Sequence, residues 1–247
     1  MVKTMNIQNI LKIGKQEFGF ISLKGEMEAE GLTETQIARE AIIAAKNNLG
    51  YLVKIGGSEA KTNLKYLIDV GISSVVVPMV ESGFAMEKFI KMLSKEKFDH
   101  VGVTIETITA VKNIDEILNA GTALTEITIG RSDLTASYKG TSVESQKTID
   151  MVKTVANKAK NRGLKVTMGG SVTKKTAETL INDTELYDLI DCIETRKVVM
   201  ETEKFIREGT IDHAFLFELA NLENKLEISE FFISEDKNRK NMINQRI

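Results

Sequence analysis

VGVTIETITAVKNIDEILNAGTALTEITIGRSD, residues 101–133, is the stretch on which the fold turns. It opens with a β-branched run, Val101–Ile105, and closes with a second, Ile127–Ile129. Each run hands an acidic residue to the loop that follows it, Glu106 after the first and Asp133 after the second. Two apolar runs separated by a connection of this length read as neighbouring parallel strands joined by a crossover.

Working outward, the same kind of run recurs at Phe18–Leu23, Tyr51–Ile55, Ser74–Val80, Lys165–Met168 and Leu189–Val199. The interval is roughly 25–35 residues, about the length of a βαβ unit. Nearly continuous apolar character is what strands buried on both faces of a parallel sheet require. Helical stretches lie between them. In ESQKTIDMVKTVANKAKNRG, Ile149, Val152 and Val155 share one face, and Gly163 stands at the predicted end. No Pro/Gly/Ser-rich linker interrupts the pattern. With 247 residues, the chain fits one α/β domain, 1–247: a (β/α)8 TIM-type barrel of parallel strands, which needs about 250 residues. An extra helical segment, about 211–247, follows it. Seven strands are visible, so the eighth is expected in the N-terminal 17 residues or from Ile21–Glu28 serving twice. On the strand count alone a doubly wound open sheet stays open.

Composition excludes several functions. Net charge is −2, and 42% of residues are hydrophobic against 28% charged. Neither nucleic acid nor an anionic membrane is implied as a partner. One cysteine, Cys192, permits no intrachain disulfide and suits a cytoplasmic location. The N-terminus lacks the apolar core of a signal peptide, and no run is long enough to span a membrane. The two histidines, His100 and His213, sit in no motif, which argues against a His/Cys zinc site and against Ser-His-Asp or Cys-His nucleophiles.

The chemistry is expected at the C-terminal ends of the strands, where such a barrel carries its active site. Glu106 and Asp133 arrive from successive strands. Two carboxylates with few histidines favour a hard cation, Mg2+ or Mn2+. The structural alternative is that Glu106 caps a helix and Asp133 starts a turn. Lys54, in YLVKIGG, interrupts an apolar strand and is placed to neutralise a developing enolate or to form a Schiff base. Gly169 and Gly170 allow close backbone approach to a carboxylate or phosphate. Pro78 and Met79 follow the SSVVV run and line the expected pocket, and Arg196 is placed to bind a substrate anion.

VKIGGSEA, VVVPMVES, VTIET and IGRSDLTAS, in this order and spacing, resemble the HpcH/HpaI aldolase and citrate lyase beta-subunit family of the phosphoenolpyruvate/pyruvate barrel superfamily. The likeness spans roughly Gly19 to Val199. It implies a metal-dependent reaction that makes or breaks a carbon–carbon bond beside a pyruvate-like or acyl-thioester enolate. By this resemblance Glu106 and Asp133 are the metal ligands, and backbone amides near Ser132 and Asp133 hold the substrate carboxylate. Lys54 stands where the aldolase branch has a catalytic arginine. The loop that carries a Glu-His pair in that branch reads GEMEAEG here, without histidine, which leaves Glu28 or Glu30 as acid/base.

The expected protein is therefore a divalent-metal-dependent carbon–carbon lyase for a 2-oxo acid or acyl-CoA ester. The resemblance also implies a homo-oligomer, trimer or hexamer. The C-terminal segment is expected to supply contacts through an apolar face of Phe215, Leu216, Leu219 and Leu222, with a frayed or docked tail beyond Glu235. Two other readings stand beside it: a metal-independent barrel isomerase or synthase holding phosphate at Gly169-Gly170, and a non-catalytic metabolite-binding barrel.

Overall fold

A computed structural model describes residues 6–93 and 98–245. The first half runs α1 (Ile7–Glu17), β1 (Phe20–Glu26), α2 (Glu34–Lys46), β2 (Gly50–Lys54), α3 (Lys61–Asp69), β3 (Ser74–Val77), α4 (Gly83–Met92), β4 (His100–Ile105), α5 (Ile108–Lys112) and α6 (Ile114–Ala120). The second half runs β5 (Glu126–Gly130), α7 (Arg131–Ser137), α8 (Gln146–Lys160), β6 (Lys165–Gly169), α9 (Lys174–Asn182) and α10 (Thr184–Leu189). It ends with β7 (Cys192–Glu194), β8 (Val198–Glu201), α11 (Thr202–Phe205) and α12 (Thr210–Asn244).

The strands close into an eight-stranded barrel in chain order. β1 to β7 pair in parallel, as their apolar runs predict. The eighth strand differs from expectation in place and direction. It comes neither from the N-terminal segment, whose described part is α1, nor from a doubled β1. The run Leu189–Val199 instead breaks into β7 and β8, and β8 pairs antiparallel with both β7 and β1. The reversal takes one tight turn, in which the Thr195 amide donates to the Val198 carbonyl at 2.9 Å. The Val198 amide returns to Thr195 Oγ1 at 3.3 Å.

Local chemistry explains the helices that surround the barrel. Asn6 caps α1, Thr33 and Gln36 form a capping box on α2, and Ser145 caps α8, each satisfying free amides of a first turn. α8 buries Ile149, Val152 and Val155, the predicted face. It stops at Lys160, and Gly163 follows with φ +71°, a turn conformation that suits glycine.

Strand alternation separates two interiors. Val75, Val77, Val103, Ile105, Ile127 and Ile129 face the helices and are fully buried. Leu52, Val76, Cys192 and Val199 form a small separate apolar cluster inside the barrel. Thr104, Thr128 and Thr167 lie in one register row across β4, β5 and β6.

α12 is one continuous helix of 35 residues, about 50 Å long, and continues well past Glu235. Its packed side is Ile211, Ala214, Phe217, Ala220 and Asn221. Phe215, Leu216, Leu219 and Leu222, the predicted apolar face, are exposed. No helix among the described residues is long and apolar enough to cross a membrane.

Candidate active site

Glu106 follows β4 on the same parity as Gly102 and Thr104, so it turns into the barrel mouth. It is 3% exposed. Its Oε1 accepts from the Met79 amide at 3.1 Å, and its Oε2 lies 3.6 Å from Lys54 Nζ at the end of β2. Met79 makes its contact from a left-handed conformation, φ 54°, rare for a residue with a side chain. Gly130 is needed beside it: a Cβ there would come within 2.9 Å of Glu106 Cβ and 3.0 Å of Oε2. Burial pushes the Glu106 carboxyl up, and the negative charge of Asp133 adds to this. Lys54 and the Met79 amide only partly offset the rise.

Asp133 sits exposed in the first turn of α7, which starts directly after β5. The opening of that helix is fastened to the β6–α9 loop. Arg131, fully buried, donates to the carbonyls of Gly169 and Gly170 at 3.2 Å each. It also donates to Thr176 Oγ1 at 3.1 Å and to Glu144 Oε1 at 2.9 Å. Gly170, φ +85°, comes so close that a Cβ would lie 2.5 Å from the Ser132 amide nitrogen. Ser132 Oγ meets Ser171 Oγ at 2.8 Å. The Gly169-Gly170 pair and Ser132 thus belong to one structure, with Pro78 buried and Met79 exposed across the mouth.

The other charges at the mouth are Lys24, Glu26, Glu194 and Arg196. Lys24 Nζ lies 2.9 Å from Glu26 Oε1 and 2.6 Å from Glu194 Oε1. Arg196, in the β7–β8 turn, reaches Glu26 Oε2 at 3.5 Å and keeps a 56% exposed side chain. Burial pushes the Glu26 carboxyl up, but Lys24, then Lys54 and Arg196, outweigh it and hold the carboxyl below its usual range.

The two acids expected from GEMEAEG have different partners from Glu26. Glu30 accepts from Lys197 Nζ at 3.1 and 3.2 Å and from the Glu26 amide at 3.1 Å. Lys197 also binds Glu40 at 2.8 Å, and Tyr51 donates to Glu40 at 2.8 Å. Glu28 is exposed and lies over Gly56, where a Cβ would be 2.9 Å from Glu28 Cγ. In the sequence Lys24, Glu26 and Glu194 stand out only as polar strand-end residues without an assigned role. A usable signal was the period-two spacing of Ser22, Lys24 and Glu26, which sets them on one strand face. Among the described residues, no three His, Cys, Asp or Glu side chains converge as a metal cluster.

Comparison with known proteins agrees with this architecture. The HpcH/HpaI aldolase/citrate lyase family model matches residues 26–190. No curated protein matches the chain. An HpcH/HpaI aldolase from Desulfitobacterium hafniense DCB-2 superposes with TM-score 0.60 at 16% identity, over 71% of this chain and 78% of that one. A family protein from Burkholderia cenocepacia J2315 gives 0.62 at 15%, over 76% and 83%. The citrate synthase SbnG gives 0.61 at 15%, over 90% and 91%. At these identities the superpositions speak for the fold, and the match over residues 26–190 for the family: the chain belongs to the HpcH/HpaI aldolase/citrate lyase family.

Proposed function

We propose that this protein is a divalent-metal-dependent carbon–carbon lyase that acts on a 2-oxo acid or acyl-CoA ester. The observation that carries this reading is the buried Glu106 carboxylate, whose pKa is raised by burial and by Asp133, with Lys54 3.6 Å away. Two carboxylates are enough for Mg2+ or Mn2+, which take their remaining positions from water and substrate. The charge count at the mouth agrees. Among the described residues, Glu26, Glu106, Asp133 and Glu194 stand with Lys24, Lys54 and Arg196, an excess of negative charge where an anionic substrate is to bind. A divalent ion on Glu106 and Asp133 reverses that sign and, when bound, supplies Lewis-acid stabilisation of developing enolate charge.

The chain's own groups do the rest. The amides at the start of α7, with Ser132, Gly169 and Gly170, orient the substrate carboxylate. Lys54 stabilises negative charge on the substrate oxygen. Arg196 binds an outer anionic group in the fork geometry that suits carboxylates. Pro78 and Met79 wall the pocket. Homo-oligomerisation through the exposed apolar residues of α12 belongs to the same proposal.

The test is Mn2+ binding, followed by electron paramagnetic resonance, together with exchange of the pyruvate methyl protons in D2O. Glu106→Gln and Asp133→Asn are expected to abolish both while leaving the circular dichroism spectrum unchanged. Retained metal-dependent exchange in either variant overturns the assignment. Full exchange after chelation favours a metal-independent barrel instead.

A further inference from the structure

β8 leaves the mouth unlike the other seven staves. Because it runs antiparallel, it presents the tight turn Thr195–Val198 there, and its lumen-facing residue is Val199. β8 lies between β1 and β7, so these two are not hydrogen-bonded neighbours. They are joined across β8 by side chains. Lys24 on β1, 6% exposed, donates to Glu194 on β7 at 2.6 Å. The same ammonium lies 2.9 Å from Glu26 Oε1, two residues further up β1. Gly169 on β6 is shaped to this contact, since a Cβ there would come within 2.7 Å of Glu194 Cγ.

Stability alone is a poor reason for this arrangement. Buried ion pairs often contribute no more than apolar residues of the same volume. Among the described residues, Glu194 Oε2 is moreover buried without a hydrogen-bond partner, a cost that a purely structural pair normally avoids. Among the described residues, Glu194 thus spends its carboxylate on Lys24 alone, and Lys24 in turn fixes Glu26. Glu26 is the buried acid of the β1 end, with Lys54 and Arg196 beside it; Glu30 is tied to Lys197, and Glu28 is exposed over Gly56.

We propose that Lys24 and Glu194 form a charged strut across β8 that positions Glu26 as the proton-transferring carboxylate of the barrel mouth. Lys24 and Glu194 are positioning residues; Glu26 is the group that meets substrate. In the step assigned to it, the Glu26 carboxylate takes a proton from the carbon next to the substrate carbonyl. The C–H bond breaks, an O–H bond forms on Glu26, and the electron pair moves to the carbonyl oxygen; the reverse step returns the proton. The strut works by charge. Burial pulls the Lys24 ammonium down, but Glu194 and Glu26 outweigh this and keep it protonated. The groups facing Glu26 are Lys24 on its own strand, Lys54 on β2 and Arg196 in the β7–β8 turn, with Glu30 accepting from its backbone amide and Glu194 behind Lys24.

This inference rests on the lyase reading, and the experiment separates the two. The probe is pyruvate with Mn2+ in D2O, with methyl-proton loss read by NMR across a pH series. In parallel, the Glu26 carboxyl is titrated by 13C NMR in metal-free protein, assigned with Glu26→Gln. Lys24→Met is expected to move both the acid limb of exchange and the Glu26 midpoint upward, by about one pH unit or more. Glu194→Gln is expected to move both downward, because the Lys24 charge is no longer shared. An unmoved Glu26 midpoint in Lys24→Met, or shifts of the same sign in the two variants, overturns the strut. If the unsubstituted protein exchanges no protons, the lyase reading falls and the Glu26 midpoints alone decide the strut. If Lys24→Met does not fold, the Glu194→Gln midpoint decides: a downward shift supports the strut and no shift overturns it.

Discussion

Lys54 Nζ stands 3.6 Å from Glu106 Oε2, beyond hydrogen-bond reach yet well within the distance at which opposite charges interact in a partly buried site. The two groups share a mouth without neutralising each other through a tight contact. That spacing leaves Glu106 Oε2 open to a second cation and Lys54 open to a substrate oxygen. Replacing Lys54 by Met is expected to lower pyruvate proton exchange about 10²–10³-fold, the usual effect of losing one preorganised electrostatic group. Lys54→Arg is expected to retain part of the rate. Equal rates for the Met variant and the unsubstituted protein would remove Lys54 from the chemistry.

Metal affinity is expected to depend on pH through Glu106. Burial, reinforced by Asp133, raises its pKa, so the folded apo protein binds a proton there more readily than the unfolded chain does. That contribution to stability is present at low pH and is lost as pH rises through the raised value. A metal ion must displace the proton. Apparent Mn2+ affinity should therefore weaken on going from about pH 7 towards pH 5, and the metal-induced gain in Tm should shrink with it. Calorimetric titration at several pH values checks this. A pH-independent affinity would separate Glu106 from the metal.

Arg131 is expected to be a stability residue with a functional consequence. It is fully exposed to nothing but protein, and its guanidinium is shared among Glu144, Thr176 and two backbone carbonyls. Arg131→Met leaves the Glu144 carboxylate without its cation, and a cost of about 3–5 kcal/mol is expected from urea unfolding. Arg131→Lys, which cannot reproduce the planar fork, should fall between. A loss under about 1 kcal/mol in the Met variant would show that the loop holds without it.

Phe231, Phe232 and Ile233 are 60%, 61% and 52% exposed near the middle of α12. A chain ending at Ser229 removes them but keeps Lys225, which lies 3.3 Å from Glu40, and the buried residues up to Asn221. Light scattering is expected to show a smaller assembly for the shortened chain, with its barrel still folding cooperatively. An unchanged assembly would place the oligomer contact elsewhere.

How much of this was legible in the residues depended on how local the signal was. Six of the seven parallel strands, β1 to β6, were readable because each is a β-rich run followed by a helical stretch. Glu106 and Asp133 were readable as strand-end acids for the same reason. α12 was legible only in part: Phe215, Leu216, Leu219 and Leu222, read as an apolar face for subunit contacts, are exposed in the chain, while α1 packs against α12, whose buried residues include Ile211, Ala214 and Phe217. Which of several apolar stripes finds a partner depends on where the neighbouring helix stands.

The sequence by itself determined the alternating β and α elements and the acidic strand ends, because periodicity and strand termini are local properties of the chain. Tertiary structure decided the rest. Leu189–Val199 reads as one β-rich run, with no Gly, Asn or Pro to announce the reversal at Thr195–Val198. Only barrel closure, which gives β8 two antiparallel neighbours, splits it. The same closure brings Lys24 and Glu194, 170 residues apart, to 2.6 Å and turns Glu26 toward the mouth while Glu30 goes to Lys197. Such pairings depend on which strands meet around the ring, and that is a long-range outcome of packing.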